Sequence, residues 1–376
     1  MKTQPHLAVL LATSGHSGVD RVMNNLLPAI AARGIKVDLL HIKNHGPYID
    51  DPKINVIPLG SAHVNTSLTA VIRYLREQQP DVLFCDKDKV NRLALWARRL
   101  AGVKTRVVIR TGTTISVDMA HRKFSQRLIQ TLSMRLFYKW ADAIVVPSEG
   151  AADDLAHVCR LPRERVKAVP SPVITPQFNS ALESPVTHTW LQNKKTPVIL
   201  AVGELSPRKD FATLVRAFAR VKKQQPVKLI LLGKGKQQSS LRQLAQTLSI
   251  NEDEFDMPGF EKNPYAYMAH ADIFVSTSRW EGAPVVVMEA LGAGLAIISS
   301  DCPSGPREIL ANGRYGKLFE IGDDEALAKA ILDTLAQPPD QSTILAGAAR
   351  YTLDNSVRCY LEAMSLPYYS SRSQQP

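Results

Sequence analysis

The sequence predicts an α/β protein of two domains, each built on a doubly wound parallel sheet, the two facing one another across a cleft. Three observations carry that expectation. The chain has 376 residues, against a typical ~150 for one domain. Short apolar runs alternate with amphipathic stretches in both halves, the βαβ pattern of parallel sheets. A proline-rich interval separates the two series. With 45% hydrophobic and 22% charged residues the composition is that of an ordinary globular protein, neither disordered nor fibrous.

In the first half, 7–13, 37–42, 82–85, 106–110 and 143–146 read as strands with helical patterns between them. Between residues 170 and 197 lie five prolines, Pro170, Pro172, Pro176, Pro185 and Pro197, with little periodicity, as in a linker. Alternation restarts with strands at 198–202, 228–232, 273–276 and 295–299 and helices at 211–223, 239–248 and 326–335. The expected limits are a first domain over 1–175, a linker over 176–196 and a second domain over 197–345. A helix over 346–366 is expected to pack back towards the first domain, and 367–376, rich in Ser and Gln, to be a flexible tail.

The net charge is +11, and its excess is confined to one half: residues 1–180 hold 25 Lys and Arg against 14 Asp and Glu, whereas the remainder balances. Such a half-molecule attracts nucleic acid, anionic lipid or a phosphorylated substrate, and charge alone does not separate these. The basic, aromatic stretch 119–140 reads either as a helix lying on an anionic membrane or as an ordinary helix burying Leu128, Leu132 and Leu136 under a solvated basic face. Cys85, Cys159, Cys302 and Cys359 are scattered, which argues against a zinc knuckle or disulfide framework and for a reducing cytoplasm. The apolar run 7–12 is too short to span a bilayer and its basic flank is weak for a secretory signal. A cytoplasmic protein, peripheral on the inner face of the plasma membrane if it touches one, is expected.

The most informative segment follows the strand at 273–276: Glu281-Gly282-Ala283-Pro284-Val285-Val286-Val287-Met288-Glu289-Ala-Leu-Gly292-Ala-Gly294. Pro284 suits a helix start and Gly292 or Gly294 its end, although three consecutive valines favour a strand locally. Free N–H groups at that start would lie at the C-terminal edge of the sheet, where phosphates bind. Each carboxylate accepts two hydroxyl hydrogen bonds at once, which suits a sugar diol.

This segment, with the following IISSDCPSGPREILANGRYGKLF, resembles the retaining glycosyltransferase family 4, whose hallmark is EG-x-P-x4-EA-x-x-x-G and whose fold is GT-B. The resemblance implies two Rossmann-like domains. It also implies that Glu289 holds the nucleotide ribose, that Glu281 lies beside the donor sugar, and that N–H groups of Gly282, Ala283, Val285 and Val286 around Pro284 contact sugar and phosphate, with 305–308 lining the same cleft. Gly203-Glu-Leu-Ser-Pro-Arg208-Lys209 is similar to the family's G-x-L-x3-K segment, so Arg208 and Lys209 would bind the donor pyrophosphate, and with Glu281 would be the catalytic set. Gly233 falls in a similar strand-end turn, and Gly259-Phe260 in the segment that packs on the base.

In the first domain, Gly15-His16-Ser-Gly18-Val19-Asp20 resembles the family's N-terminal glycine loop, with Gly15 and Gly18 on the donor side. Many relatives place a histidine after the strand at 106–110. This chain has Arg110-Thr111-Gly112-Thr113 instead, so Arg110, Thr111 and Thr113 are candidates for polar contacts on the acceptor side, or His16 or His121 approaches from a neighbouring loop. Asp86-Lys-Asp88 could begin a Mg²⁺ site, but Lys87 and Lys89 already neutralise it, and no metal is expected.

The resemblance implies transfer of a hexose from a nucleotide diphosphate sugar, UDP by family habit, to an acceptor hydroxyl with retention, no cofactor beyond the donor, and a glycan or lipid-linked acceptor in surface-glycan assembly. A nicotinamide-dependent enzyme is disfavoured, since G-x-G-x-x-G and an acidic residue after His41-Ile-Lys43 are both missing. A nucleotide-sugar epimerase or hydrolase on the same fold, or a non-catalytic basic binding protein, are the rival readings. No nucleic-acid motif accompanies the charge.

Overall fold

A computed structural model of the protein describes residues 4–15, 17–120 and 122–369. The chain divides into two compact units. One comprises the stretch up to Pro172 together with the stretch from Thr352 onward; the other is continuous, Val173–Tyr351.

The first unit carries β1 (His6–Leu10), β2 (Lys36–His41), β3 (Ile54–Pro58), β4 (Val82–Asp86), β5 (Arg106–Arg110), β6 (Ala143–Val146) and β7 (Val166–Ala168). They form one parallel sheet in the order β3-β2-β1-β4-β5-β6-β7. The second carries β8 (Val198–Val202), β9 (Lys228–Leu232), β10 (Phe255–Gly259), β11 (Ile273–Ser276), β12 (Ala296–Ser300) and β13 (Lys317–Phe319), also all parallel, in the order β10-β9-β8-β11-β12-β13. Central strands are buried on both faces, which is why they read as apolar runs; β8 sends Ile199 and Ala201 into one core and Val198 and Leu200 into the other.

Strand order reverses between β1 and β4 in the first sheet and between β8 and β11 in the second. Loops leaving the carboxyl ends of the strands on either side of such a point diverge and leave a crevice, where doubly wound sheets bind ligands. In the second unit these are the loops before helix Phe211–Val221 and helix Val285–Gly292.

One stretch differs in organisation from the sequence expectation. Residues 176–196, read as a linker, hold helices Pro176–Leu182 and Thr189–Gln192, and Phe178 and Leu191 are buried in the second unit. Prolines there start a helix instead of breaking one: Pro176 occupies its first turn behind Thr175, whose hydroxyl accepts from Phe178 N (3.0 Å). At the other end, helix Leu353–Met364 lies in the first unit, where Val357, Tyr360, Leu361 and Met364 join the core formed by β1, β2 and helix Gly18–Ala31. The flexible tail expected from 367 lies, from residue 370 onward, outside the described residues.

Candidate functional site

At the reversal point of the second sheet the loop after β8 meets the loop after β11. Glu281 is the join. Arg208 Nη1 donates to its Oε2 (2.7 Å), Lys209 Nζ to its Oε1 (2.7 Å), and Ser278 Oγ to the same Oε1 (2.8 Å). Backbone contacts fasten the loops further: Arg279 N donates to the Arg208 carbonyl (2.8 Å) and Thr277 Oγ1 to the Lys209 carbonyl (2.7 Å). Asp210, held at φ 47°, pairs with Arg279 (3.1 Å) and accepts from Thr213 Oγ1 (3.0 Å).

Burial raises the Glu281 carboxyl, but the charges of Lys209 and Arg208, with the hydrogen bonds from Lys209 and Ser278, outweigh it and hold the group below its ordinary value. Glu281 is therefore a fixed anion between two fixed cations. The cluster carries a net positive charge, and a guanidinium with five N–H groups retains donors after giving one to Glu281. Nearby Cys302 is buried, and burial first, then the Glu281 charge, pushes its thiol up to about 12; it is no nucleophile.

The glycines predicted for this site form its floor. Gly203 N donates to the Leu232 carbonyl (2.9 Å) and Gly233 N to the Gly259 carbonyl (2.7 Å), so the ends of β8, β9 and β10 are laced edge to edge. Gly233 sits at φ +146°, and a Cβ there would fall 1.8 Å from the Gly203 carbonyl oxygen. Phe260, directly after β10, is 62% exposed, an aromatic face open to a ligand. Helix Val285–Gly292 begins at Pro284, and no side chain caps it. Gly305, at φ +96°, lies against that start, its missing Cβ leaving room for Pro284 Cδ (2.7 Å) and Ala283 Cα (3.1 Å). Glu289 is fully buried on this helix and accepts from Tyr265 OH (3.0 Å). The two glutamates thus hold different partners.

In the first unit, Thr13 and Gly46 pair their backbones (both 3.1 Å), and Gly15, at φ +84°, packs under Tyr48. Gly18 opens helix Gly18–Ala31 behind Ser17. Asp20, where the family pattern has glutamate, closes the capping box on Ser17 and accepts from Thr13 Oγ1. Arg110, a candidate acceptor contact, is instead a buried brace: Nη1 donates to Asp86 Oδ2 (2.6 Å) and Nε to Tyr360 OH (3.0 Å). A guanidinium at a strand end beside a buried carboxylate closes that pair before it reaches any ligand. Thr111 and exposed Thr113 line a cavity of about 1030 Å³ with Asp86, Asp88, Trp96 and Ile129. Asp88 is engaged by Arg92 (3.0 Å) and Tyr138 (3.1 Å). His16 and His121 lie outside the described residues.

Residues 188–350 match the family model for glycosyl transferases group 1, and residues 17–172 match that for the glycosyl transferase 4-like domain. The chain belongs to the family 4-like glycosyltransferases. A Campylobacter jejuni N-acetylgalactosamine-N,N'-diacetylbacillosaminyl-diphospho-undecaprenol 4-alpha-N-acetylgalactosaminyltransferase is 28% identical, over 86% of this chain and 88% of its own. The amylovoran biosynthesis glycosyltransferase AmsD of Erwinia amylovora is 26% identical over 82% and 84%. Among solved structures, the lipopolysaccharide outer core galactosyltransferase WaaB superposes with a TM-score of 0.74 at 18% identity, covering 96% of this chain and 99% of that one. Anabaena HepE in complex with UDP gives the same TM-score, identity and coverage. The fold is GT-B, and the protein is a transferase of glycosyl groups.

For this glycosyltransferase, sequence reasoning found the charged residues and missed those that hold them. Ser278, Thr277 and Tyr265 fix Glu281, Lys209 and Glu289 through single hydroxyls. Ser278 stands three residues before Glu281, the reach of a side chain across a tight loop, and that spacing was the available signal. Tyr265 comes from another helix, Pro264–His270, and nothing local points to it.

Proposed function

We propose that the protein is a retaining hexosyltransferase, drawing its donor from a nucleotide diphosphate sugar, with UDP the base, and passing the sugar to a hydroxyl of a glycan or lipid-linked acceptor in surface-glycan assembly. The observation that carries this is the Arg208–Glu281–Lys209 cluster at the reversal point of the second sheet, beside the uncapped start of helix Val285–Gly292. That start and the two cations offer N–H donors and positive charge to a diphosphate. Exposed Phe260 offers a face for the base, and buried Glu289 an acceptor for ribose hydroxyls.

In the reaction, the bond from the anomeric carbon to the leaving phosphate oxygen breaks with its electron pair passing to that oxygen. The acceptor oxygen bonds to the same face of the sugar and gives its proton to the departing phosphate. Arg208 and Lys209 stabilise the charge that grows there, a task worth about 10²–10³ in rate per well-placed donor. Glu281 positions both cations. Since they carry the leaving-group charge, transfer is proposed to proceed without a divalent metal, on the cytoplasmic face of the membrane.

Support comes from the relatives: the Campylobacter enzyme is named for a diphospho-undecaprenol acceptor, and HepE is described with UDP and with UDP-glucose. Calorimetry of the purified protein against a panel of nucleotide sugars identifies the donor, and the anomeric configuration of the product, read by NMR, tests retention. Lys209→Ala is expected to lower kcat/KM by about 10²–10³ with the fold intact by circular dichroism. Near wild-type turnover in that variant, an inverted product, or loss of activity with EDTA each removes the corresponding part of the proposal.

A further inference from the structure

Helix Phe124–Phe137 is inside out. The residues it buries include Gln130 and Met134, while Phe124, Leu128, Ile129, Leu132 and Leu136 are between 48% and 79% exposed. The alternative of an ordinary helix burying its leucines is thereby overturned. At 100° per residue, Leu128, Leu132 and Leu136 form a single ridge, with Phe124 and Ile129 at its sides, opposite the inward Gln130 and Met134. Trp96 and Leu100 of helix Asp88–Ala101 extend the apolar surface, and Trp96 packs edge-on against Phe137 (5.4 Å between centroids) and Trp140 (5.1 Å). Contiguous apolar surface of this kind marks an interaction site.

Charge identifies the occupant. From residue 119 to 140 the sequence has no Asp or Glu. Lys123, Arg127 and Lys139 are exposed along this stretch, and Arg99 lies over the Trp140 ring (4.7 Å). A second copy of the chain would set these cations against their equals. An anionic lipid surface complements them and solvates the ridge, the arrangement of a helix lying in the membrane interface with its apolar face among the acyl chains.

We infer that helix Phe124–Phe137 is a membrane-docking element that sinks the Leu128–Leu132–Leu136 ridge into an anionic bilayer. A functional consequence follows from continuity. Ile129 belongs both to the apolar surface and to the lining of the 1030 Å³ cavity, together with Gln126, Gln130 and Phe137. The same cavity is lined by Thr111, whose Oγ1 is buried with no hydrogen-bond partner among the described residues. The cavity therefore opens beside the bilayer contact, and a lipid-anchored acceptor reaches it without leaving the membrane. That last step rests on the proposed lipid-linked acceptor; docking itself does not.

The test is co-sedimentation of the full chain, without donor or acceptor, with vesicles of phosphatidylcholine alone and of phosphatidylcholine mixed with phosphatidylglycerol. Binding to the anionic vesicles that weakens with added salt is expected. The triple variant L128S/L132S/L136S is expected to bind at least about tenfold more weakly, and K123Q/R127Q roughly fivefold more weakly per cation removed. All five side chains are exposed, so melting curves should match the parent. The inference is overturned if the parent stays in the supernatant with both vesicles, if the ridge variant sediments like the parent, or if sedimentation velocity shows a dimer that the ridge variant dissolves. Transfer to a soluble acceptor, measured in parallel, is expected to be unchanged in the ridge variant; its loss in the parent would count against the glycosyl-transfer reading and leave docking standing.

Discussion

Glu281 carries a buried negative charge between Lys209 and Arg208, and its titration is tied to stability with a definite sign. Its folded value lies below its unfolded one, so the contribution is complete above the ordinary carboxylate range and is lost as pH falls through the depressed value. The melting temperature of the parent is expected to fall with acid more steeply than that of Glu281→Gln, and parallel curves would show the clamp to be absent in solution. Arg110 makes the opposite point. In sequence it opens the Arg110-Thr111-Gly112-Thr113 run that the family resemblance marked as a candidate acceptor contact, yet it is buried against Asp86 and Tyr360. Arg110→Met would leave the Asp86 carboxylate buried without its ion-pair partner, at a cost of about 3–5 kcal/mol in the unfolding free energy measured in urea; a residue that only touched acceptor would change KM and leave that free energy alone. Charged residues were legible because their types and spacing carry chemistry. What they touch in three dimensions was not, since Tyr360 lies 250 residues from Arg110.

Among elements, legibility followed burial. Among the described residues, the nine strands read from sequence are the nine interior ones; the four missed, β3, β7, β10 and β13, are the edges of the two sheets. Each edge strand is covered on fewer sides, so polar residues interrupt it: β3 exposes Asn55, and β7 exposes Lys167. The valine-rich run 285–287 forms a helix against its propensity because Val287, Met288 and Leu291 pack into the core on one side of the sheet. The strand-end glycines are similarly dictated by their neighbours. Gly233→Ala would drive a methyl into the Gly203 backbone, and since both partners are main chain, a loss of about 3 kcal/mol or more is expected in denaturant unfolding, with nucleotide-sugar binding weakened in parallel. An unchanged midpoint would mean that the β8 and β9 ends are not laced as described.

For the molecule as a whole, two parallel sheets followed from periodicity and their strand ends from motif, whereas the point at which the chain returns to the first unit, Thr352 and not residue 346, did not. The second unit is continuous, whereas the first is completed by helix Leu353–Met364, nearly two hundred residues beyond Pro172. Removing residues 353–376 would uncover the seat of Val357, Tyr360, Leu361 and Met364, on the order of 5 kcal/mol or more of burial, a large part of a typical domain's stability. Hydrogen exchange on the truncated protein is expected to show β1, β4 and β5 losing protection while β8, β9 and β11 keep theirs; protection retained throughout would make the helix an ornament. Routing also sets a clock on the ribosome. At ~5–20 residues per second, roughly 10–40 s pass between synthesis of Pro172 and of the closing helix. For that interval the nascent first unit presents an open apolar groove, a target for chaperones, while the later-made second unit can already finish its own sheet.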